Sequence, residues 1–357
     1  MKKEIVIVKN RAFLLVSALL ILVIFTVPAL IACSTPAPSP TEHEIVEIDV
    51  LASAAGGSAY VMTFALAEIV KSIDHPWLRI RAVEAPGAEV NVRTMAERPE
   101  LRKNTLFFST VMHPQLYERT YQERGLPEYN TSGFIASFGA TSMFFITLDE
   151  DIKTPGDLAG KRISLLSPTS NVTQLFGDVL DIGWGVYDQA TIINGKGFGP
   201  GHGQLKDGLI DVALSLVNTD TQVPIPALSE LLATHSPYPI SIEKDVGQKV
   251  IDITGWRTHW DPVLASLLGP DRTGEFGTMG VEVDWFADKA MDDEIVTEIC
   301  KVIYENIDKF QEYHAFGKAI AEDPNRLSPR AHIPEDEFHP AALKYWKEKG
   351  IKLNILK

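Results

Sequence analysis

Two cysteines, Cys33 and Cys300, are all the sequence contains. Cys33 has another use, argued below, so no internal disulfide can form and stability must come from an ordinary core. Positive charge is also scarce: 33 Lys and Arg stand against 47 Asp and Glu, a formal net charge of −14. Nucleic acid needs a basic footprint, so this balance argues against it as a partner. Beyond the first 32 residues no apolar run is long enough to span a bilayer. The common catalytic signatures are missing as well. Gly160-Lys161 and Gly195-Lys196 are followed by Arg162 and Gly197, where a phosphate loop needs Ser or Thr. The glycine-rich NGKGFGPGHG never gives Gly-x-Gly-x-x-Gly in frame, and reads as a mobile loop with a role in closure. No two of the 9 histidines lie four apart and no cysteine cluster exists, which argues against zinc. There is no Gly-x-Ser-x-Gly elbow. A triad assembled only in space stays open as an alternative. No cofactor and no metal are expected, and the chain is not expected to be an enzyme.

What is present begins at the N-terminus. Lys2, Lys3, Lys9 and Arg11 precede an uncharged apolar run from Ala12 to Ala32, which ends in Leu30-Ile31-Ala32-Cys33. A basic start, an apolar middle and a small residue before the cut make a secretion signal over residues 1–32. Leu-Ile-Ala-Cys resembles a bacterial lipobox, so Cys33 is the expected lipidation site. A plain transmembrane anchor is the alternative, since the run is long enough to span. The Ser/Pro/Thr-rich STPAPSPTEHE, within residues 33–44, suits a tether that holds a domain off a membrane. The expected location is therefore extracytoplasmic, with the lipid anchor as the sole membrane contact.

From residue 45 onward strands and helices alternate. EIVEIDVLAS, WLRIRAVEA and NTLFFST read as strands, and Met62, Leu66, Ile69 and Ile73 share one face of an intervening helix. EVNVRTMAER reads as a short helix, and GFIASFGATSMFFITLDE as a pair of strands. Further on, RISLL, QATIING, LIDVALSLVN and MGVEVDWFAD read as strands. TSNVTQLFGDVLDIG reads as a helix with Ser170 near its start, and GQLKDG as a short one. Asp292, Asp293 and Glu294 open a helix with apolar face Ile299, Ile303, Ile307 and Phe310. A last helix starts near Pro340 and carries Leu343 and Trp346. Residues 219–275 are not assigned. In this stretch, Trp256 and Trp260 read as cover for a lobe surface, with packing over a ligand as the alternative. Alternating βα units imply an α/β fold with mostly parallel sheets between helices. No internal repeat is visible. The pattern divides into lobe I (45–138), lobe II (139–284) and C-terminal helices (285–357) returning to lobe I. The lobes hinge near 138–145 and 278–286, with Gly139 and Gly280 as pliable points and a central cleft between them.

Two helix starts look alike: Gly57-Ser58, inside LASAAGGSAYVMTFALAEIV, and Thr169-Ser170-Asn171. Each follows a strand and offers backbone N–H groups and a hydroxyl, the setting in which proteins hold anions. Taken singly, Ser58 and Ser170 read as N-caps. One from each lobe, at the strand ends where α/β sheets bind ligands, makes a shared cleft site the better reading. No arginine falls inside these turns, and Arg93 is the best placed for an ion pair.

The chain resembles the TAXI-type solute-binding proteins of tripartite ATP-independent periplasmic (TRAP) transporters. The carrying residues are AAGGSAYVMTFALAEIV, APGAEVNVRTM, IKTPGDLAGKRISL, LKDGLIDVAL and FHPAALKYWKEKGI, which span nearly the whole mature chain in order. The resemblance implies a type II periplasmic-binding-protein fold that closes on a small solute, often a carboxylate. It implies delivery of that solute to a fused permease driven by a sodium gradient. Carried over by position, it places Gly57, Ser58 and Tyr60 in the first glycine turn, Asn91 at the family asparagine and Ser170 at a family serine. With Arg93, Asn171 and Asn218 these form the expected binding set. The chain departs from the pattern at Ala88 (usually serine), at Asn171 and Val172 (usually Gly-Thr), at Ala341 (usually glycine) and in ITGWRTHWDPVLASLLGPDRTGEF. The expected function is a receptor for a small organic anion or amino acid. An extracytoplasmic sensor for a membrane signalling partner, and a secreted enzyme on the same fold, are the alternatives.

Overall fold

The computed structural model describes residues 44–53, 57–116, 125, 128–168 and 170–356. The signal, Cys33 and the tether lie outside the described residues, as do Gly56 and Thr169. No helix among the described residues is long and apolar enough to cross a membrane.

Residues Ile45–Lys357 form one compact unit built on a ten-stranded sheet. Lobe I opens with β1 (Val46–Leu51), α1 (Ser58–Ser72), β2 (Leu78–Val83), α2 (Ala88–Glu97) and β3 (Thr105–Ser109), followed by the short α3 (His113–Leu116). The long β4 (Ser132–Thr147) carries the chain into lobe II. There β5 (Arg162–Leu165), α4 (Asn171–Asp178), β6 (Thr191–Asn194), α5 (Phe198–Lys206) and β7 (Val212–Asn218) follow. Next come α6 (Pro226–Leu232), β8 (Tyr238–Ile240), α7 (Lys244–Thr254) and β9 (His259–Leu264). The long β10 (Glu275–Asp288) returns to lobe I, which α8 (Asp293–Glu305), α9 (Ala315–Glu322) and α10 (Pro340–Glu348) complete.

The strand order is β2-β1-β3-β10-β4-β7-β5-β6. Its two flanks mirror each other. The succession β1-α1-β2-α2-β3 on one side is matched by β5-α4-β6-α5-β7 on the other, so the lobes repeat an architecture that their sequences do not. β10 and β4, antiparallel neighbours, are shared: β10 pairs with β3 over Asp284–Ala287, and β4 pairs with β7 over Thr141–Thr147. Each lobe has its own apolar core. Lobe I buries Met62, Leu66, Trp285 and Trp346; lobe II buries Phe145, Phe176, Val212 and Trp256.

Some expectations change. GFIASFGATSMFFITLDE forms one strand rather than two, because it is buried from Gly133 to Thr147 with no exposed turn in between. NGKGFGPGHG is not wholly a loop, since α5 begins at Phe198. At Gly139 and Gly280, the glycines expected to be pliable, there is in addition no room for a side chain: a Cβ would lie 2.4 Å from the Phe316 ring at the first and 2.0 Å from the His259 ring at the second. Trp256 is buried with its indole N–H donated to Asp178 Oδ2 at 2.6 Å, so it belongs to a lobe core rather than to a surface.

Candidate functional site

A cavity of about 660 Å³ lies between the lobes. Both lobes line it, and the shared strands form its floor through Thr141 and Val281–Val283. Its position follows from the mirrored topology. In each lobe, the helices after the first two strands start at the C-terminal ends of those strands, and all four starts reach the cavity: Ser58 of α1, Gly87 and Ala88 at α2, Ser170 and Asn171 at α4, Gly197 and Phe198 at α5. Each N-terminus carries unpaired N–H groups and about half a positive charge.

The starts are opened in two ways. Gly57 precedes α1 without a side-chain cap, so Ser58 is the first helical residue rather than the cap. Ser170 does cap α4: its Oγ accepts from Val172 N at 3.2 Å, and Asn171 Oδ1 accepts from the same N–H at 2.9 Å. At α2 and α5 the residue before the helix is a glycine in nearly the same unusual conformation. Gly87 has φ 134° and ψ −174°, and Gly197 has φ 142° and ψ 175°. Only glycine adopts this region readily, and it leaves both helix starts without a side chain over them.

Two cations line the cavity, Arg93 from lobe I and Lys196 from lobe II. Neither side chain has a hydrogen bond or ion pair with another residue among the described residues. Ser109 adds a fully buried hydroxyl that lines the cavity and has no partner among the described residues. The acid in the floor, Glu282, points its carboxylate elsewhere: it accepts from Ala331 N and Arg330 N, each at 2.7 Å. Burial raises its pKa, and burial together with Glu282 raises that of Asp284 well above the carboxylate range. The pair therefore does not present two full negative charges under the cavity. His113 also lines it. Its Nδ1 lies 2.9 Å from the Thr110 carbonyl, which can only accept, so Nδ1 holds the proton and Nε2 accepts from Ser132 Oγ at 2.8 Å. Burial pushes its pKa down to about 4. The cavity thus offers helix N-termini, two available cations and hydroxyls, walled by Phe108, Met143, Phe198 and Leu216.

Of the residues expected from the sequence, Ser58, Arg93, Ser170 and Asn171 line the cavity together. Gly57 only precedes α1, and Tyr60 donates its N–H to Ser53 Oγ at 3.2 Å without reaching the cavity wall. Asn91 is buried and ties backbone together: Nδ2 donates to the carbonyls of Leu51, Ala52 and Phe108 at 3.1, 2.8 and 3.0 Å. Asn218 builds a turn, its Oδ1 accepting from Thr221 N at 2.7 Å and Thr221 Oγ1 at 2.8 Å. Neither asparagine lines the cavity: Asn91 uses its Nδ2 and Asn218 its Oδ1 on neighbouring groups, while Asn91 Oδ1 and Asn218 Nδ2 are buried without a partner among the described residues. Lys196, Gly87, Gly197 and Ser109 were not expected. Pro86-Gly87 and the glycine run around Lys196 were their sequence signals.

The fold matches that of a solved periplasmic binding protein. BugD superposes with a TM-score of 0.50 at 14% identity, covering 87% of this chain and 100% of that one. A protein of Bordetella bronchiseptica RB50 gives 0.47 at 15% identity, with 85% and 89% covered. The periplasmic aliphatic sulphonate binding protein SsuA of Escherichia coli gives 0.43 at 11%, with 88% and 95% covered. Residues 50–350 match a sequence family as well, and the chain belongs to the NMT1-like family.

Proposed function

We propose that this protein is an extracytoplasmic receptor, not an enzyme, that holds a small carboxylate-bearing solute between its lobes and delivers it to a TRAP permease. The observation that carries the anion is the meeting of four helix N-termini with two available cations in one cavity. Hydrogen bonds to a charged group contribute about 1.5–3 kcal/mol each, enough to outweigh the repulsion of an acidic protein. The permease class rests on the TAXI-like motifs, and the receptor role on the two-lobed fold shared with BugD. Mass spectrometry of small molecules released by denaturing the purified protein tests the solute class. Recovery of an organic anion supports the reading, and a cation bound in stoichiometric amount overturns it.

Ser58→Ala and Ser170→Ala should each weaken binding of that solute about tenfold or more, since 1.4 kcal/mol is a factor of ten. Stability should respond less. Ser58 is not a cap, and Asn171 Oδ1 still accepts from Val172 N when the Ser170 hydroxyl is gone. Melting loss in either variant with unchanged calorimetric affinity would make the hydroxyls structural.

The anchor is a separate expectation. Intact-mass analysis of membrane-extracted protein should show a diacyl or triacyl addition on Cys33, and a mature chain that keeps Met1 would refute it.

A further inference from the structure

The stretch that departs most from the TAXI-like pattern, residues 253–276, contains a crossing between the lobes. Trp256 is fixed in lobe II by its bond to Asp178 of α4. The next residue, Arg257, reaches lobe I. Its two terminal nitrogens pair with both oxygens of Glu337, Nη2 to Oε1 at 2.6 Å, and Nη1 also donates to the Val111 carbonyl at 3.4 Å. Glu337 is held in lobe I, because the adjoining Phe338 bridges to Phe134 and His339 N donates to Phe134 O at 3.0 Å. Thr258 then donates its hydroxyl to the Gly280 carbonyl of β10, one of the two strands that the lobes share. Four residues beyond Arg257, Asp261 faces Arg330 at 3.7 Å.

The pair is two-pronged and mostly shielded, with side chains 16% and 29% exposed. Such forks are stronger and more directional than surface ion pairs. The lobes also touch across the cleft in this structure, where Asn171 Nδ2 donates to Thr110 Oγ1 at 2.8 Å. A hinge motion that parts Asn171 from Thr110 moves the anchors of Arg257 and Glu337 relative to each other.

We propose that the Arg257–Glu337 fork is a tie made when the lobes meet and broken when they part, so that it sets the open–closed balance of the cleft. Arg257 and Glu337 are positioning residues and touch no solute. Their effect on solute affinity rests on the receptor reading, whereas their effect on opening does not. A tie that favours the closed form lowers the share of molecules able to admit solute and slows its escape.

Hydrogen exchange on the full chain, without solute, tests this. In Arg257→Gln and in Glu337→Gln, amides on both cleft walls (Ser109 and Thr110, Asn171 and Val172) should exchange at least tenfold faster. The swapped double variant Arg257→Glu/Glu337→Arg should bring them back toward the parent rate. A purely structural pair would speed exchange only around 255–261 and 335–339 and lower the melting temperature, with the cleft walls unchanged, and that result overturns the proposal. If Arg257→Gln does not fold, Glu337→Gln decides alone. Because no solute enters the measurement, failure here leaves the receptor reading standing, and failure to recover an anion leaves the tie standing.

Discussion

A chain carrying both Arg93→Ala and Lys196→Ala should bind its anionic solute at least a hundredfold more weakly than the parent. Each cation lines the cavity and has no partner within the protein among the described residues, so each is available to a ligand. A charge-assisted bond contributes about 1.5–3 kcal/mol, and two lost together amount to roughly 3–6 kcal/mol. Stability should hardly move, because neither side chain makes a bond that folding would miss. Titration calorimetry with the solute recovered from the parent protein measures the first quantity, and melting the second. The single variants separate the lobes' contributions. A tenfold loss in each, adding in the double, means that the two cations act independently. Parent-like affinity in the double variant would remove the ion pairs from the recognition and leave the backbone N–H groups to carry it.

The second large effect is on pH dependence. His113 is buried and neutral, with its pKa pushed down to about 4 from an ordinary 6.5. On acidification the unfolded chain takes up a proton near 6.5 that the folded chain refuses until about 4. Stability is therefore lost as pH falls through that window, by roughly 3 kcal/mol at about 1.36 kcal/mol per unit, and levels off below it. Glu282 and Asp284 act in the opposite sense. Their folded pKa values are raised, so they cost stability at neutral pH, and acidification through those values relieves the cost. His113→Gln removes one contribution and leaves the other. Denaturant unfolding at pH 7 and pH 4 should show the parent losing about 3 kcal/mol more than the variant over that interval. Equal losses would place the acid sensitivity elsewhere.

The regular elements were legible because burial imprinted them on the sequence. Met62, Leu66 and Ile69 share one face and are buried, as are Ile299 and Ile303 of α8. The single β4 was misread because both of its faces are covered, so neither alternation nor a polar break marks its course. Residues 219–275 gave little because β8 and β9 each contain a proline and show no sustained alternation of burial, and are held by pairing to β4 and β10 rather than by local pattern. The cavity was half legible. A hydroxyl near a helix start announces itself, and Ser58 and Ser170 were found that way. The starts of α2 and α5 are marked by the lack of a side chain, which in one sequence looks like an ordinary turn or a glycine-rich loop. Lys196 was hidden between two such glycines. Asn91, matched by motif, lies outside the cavity wall, with its Nδ2 donated to the carbonyls of Leu51, Ala52 and Phe108.

The sheet order also dictates when the fold can be completed. β10 lies between β3 and β4, yet it is the last strand to leave the ribosome or emerge through a membrane pore. Until residue 288 has appeared, the inner edge of β3 has no neighbour, and Leu106 and Phe107 lack the strand that covers them. In lobe II, β5, β6 and β7 and the pairing half of β4 all lie between residues 141 and 218, so its sheet can assemble from one continuous stretch. Lobe I, begun first, is finished last. A chain stopped before Glu275 would keep a paired second lobe and expose an apolar strand edge, which is the form of this protein most prone to self-association.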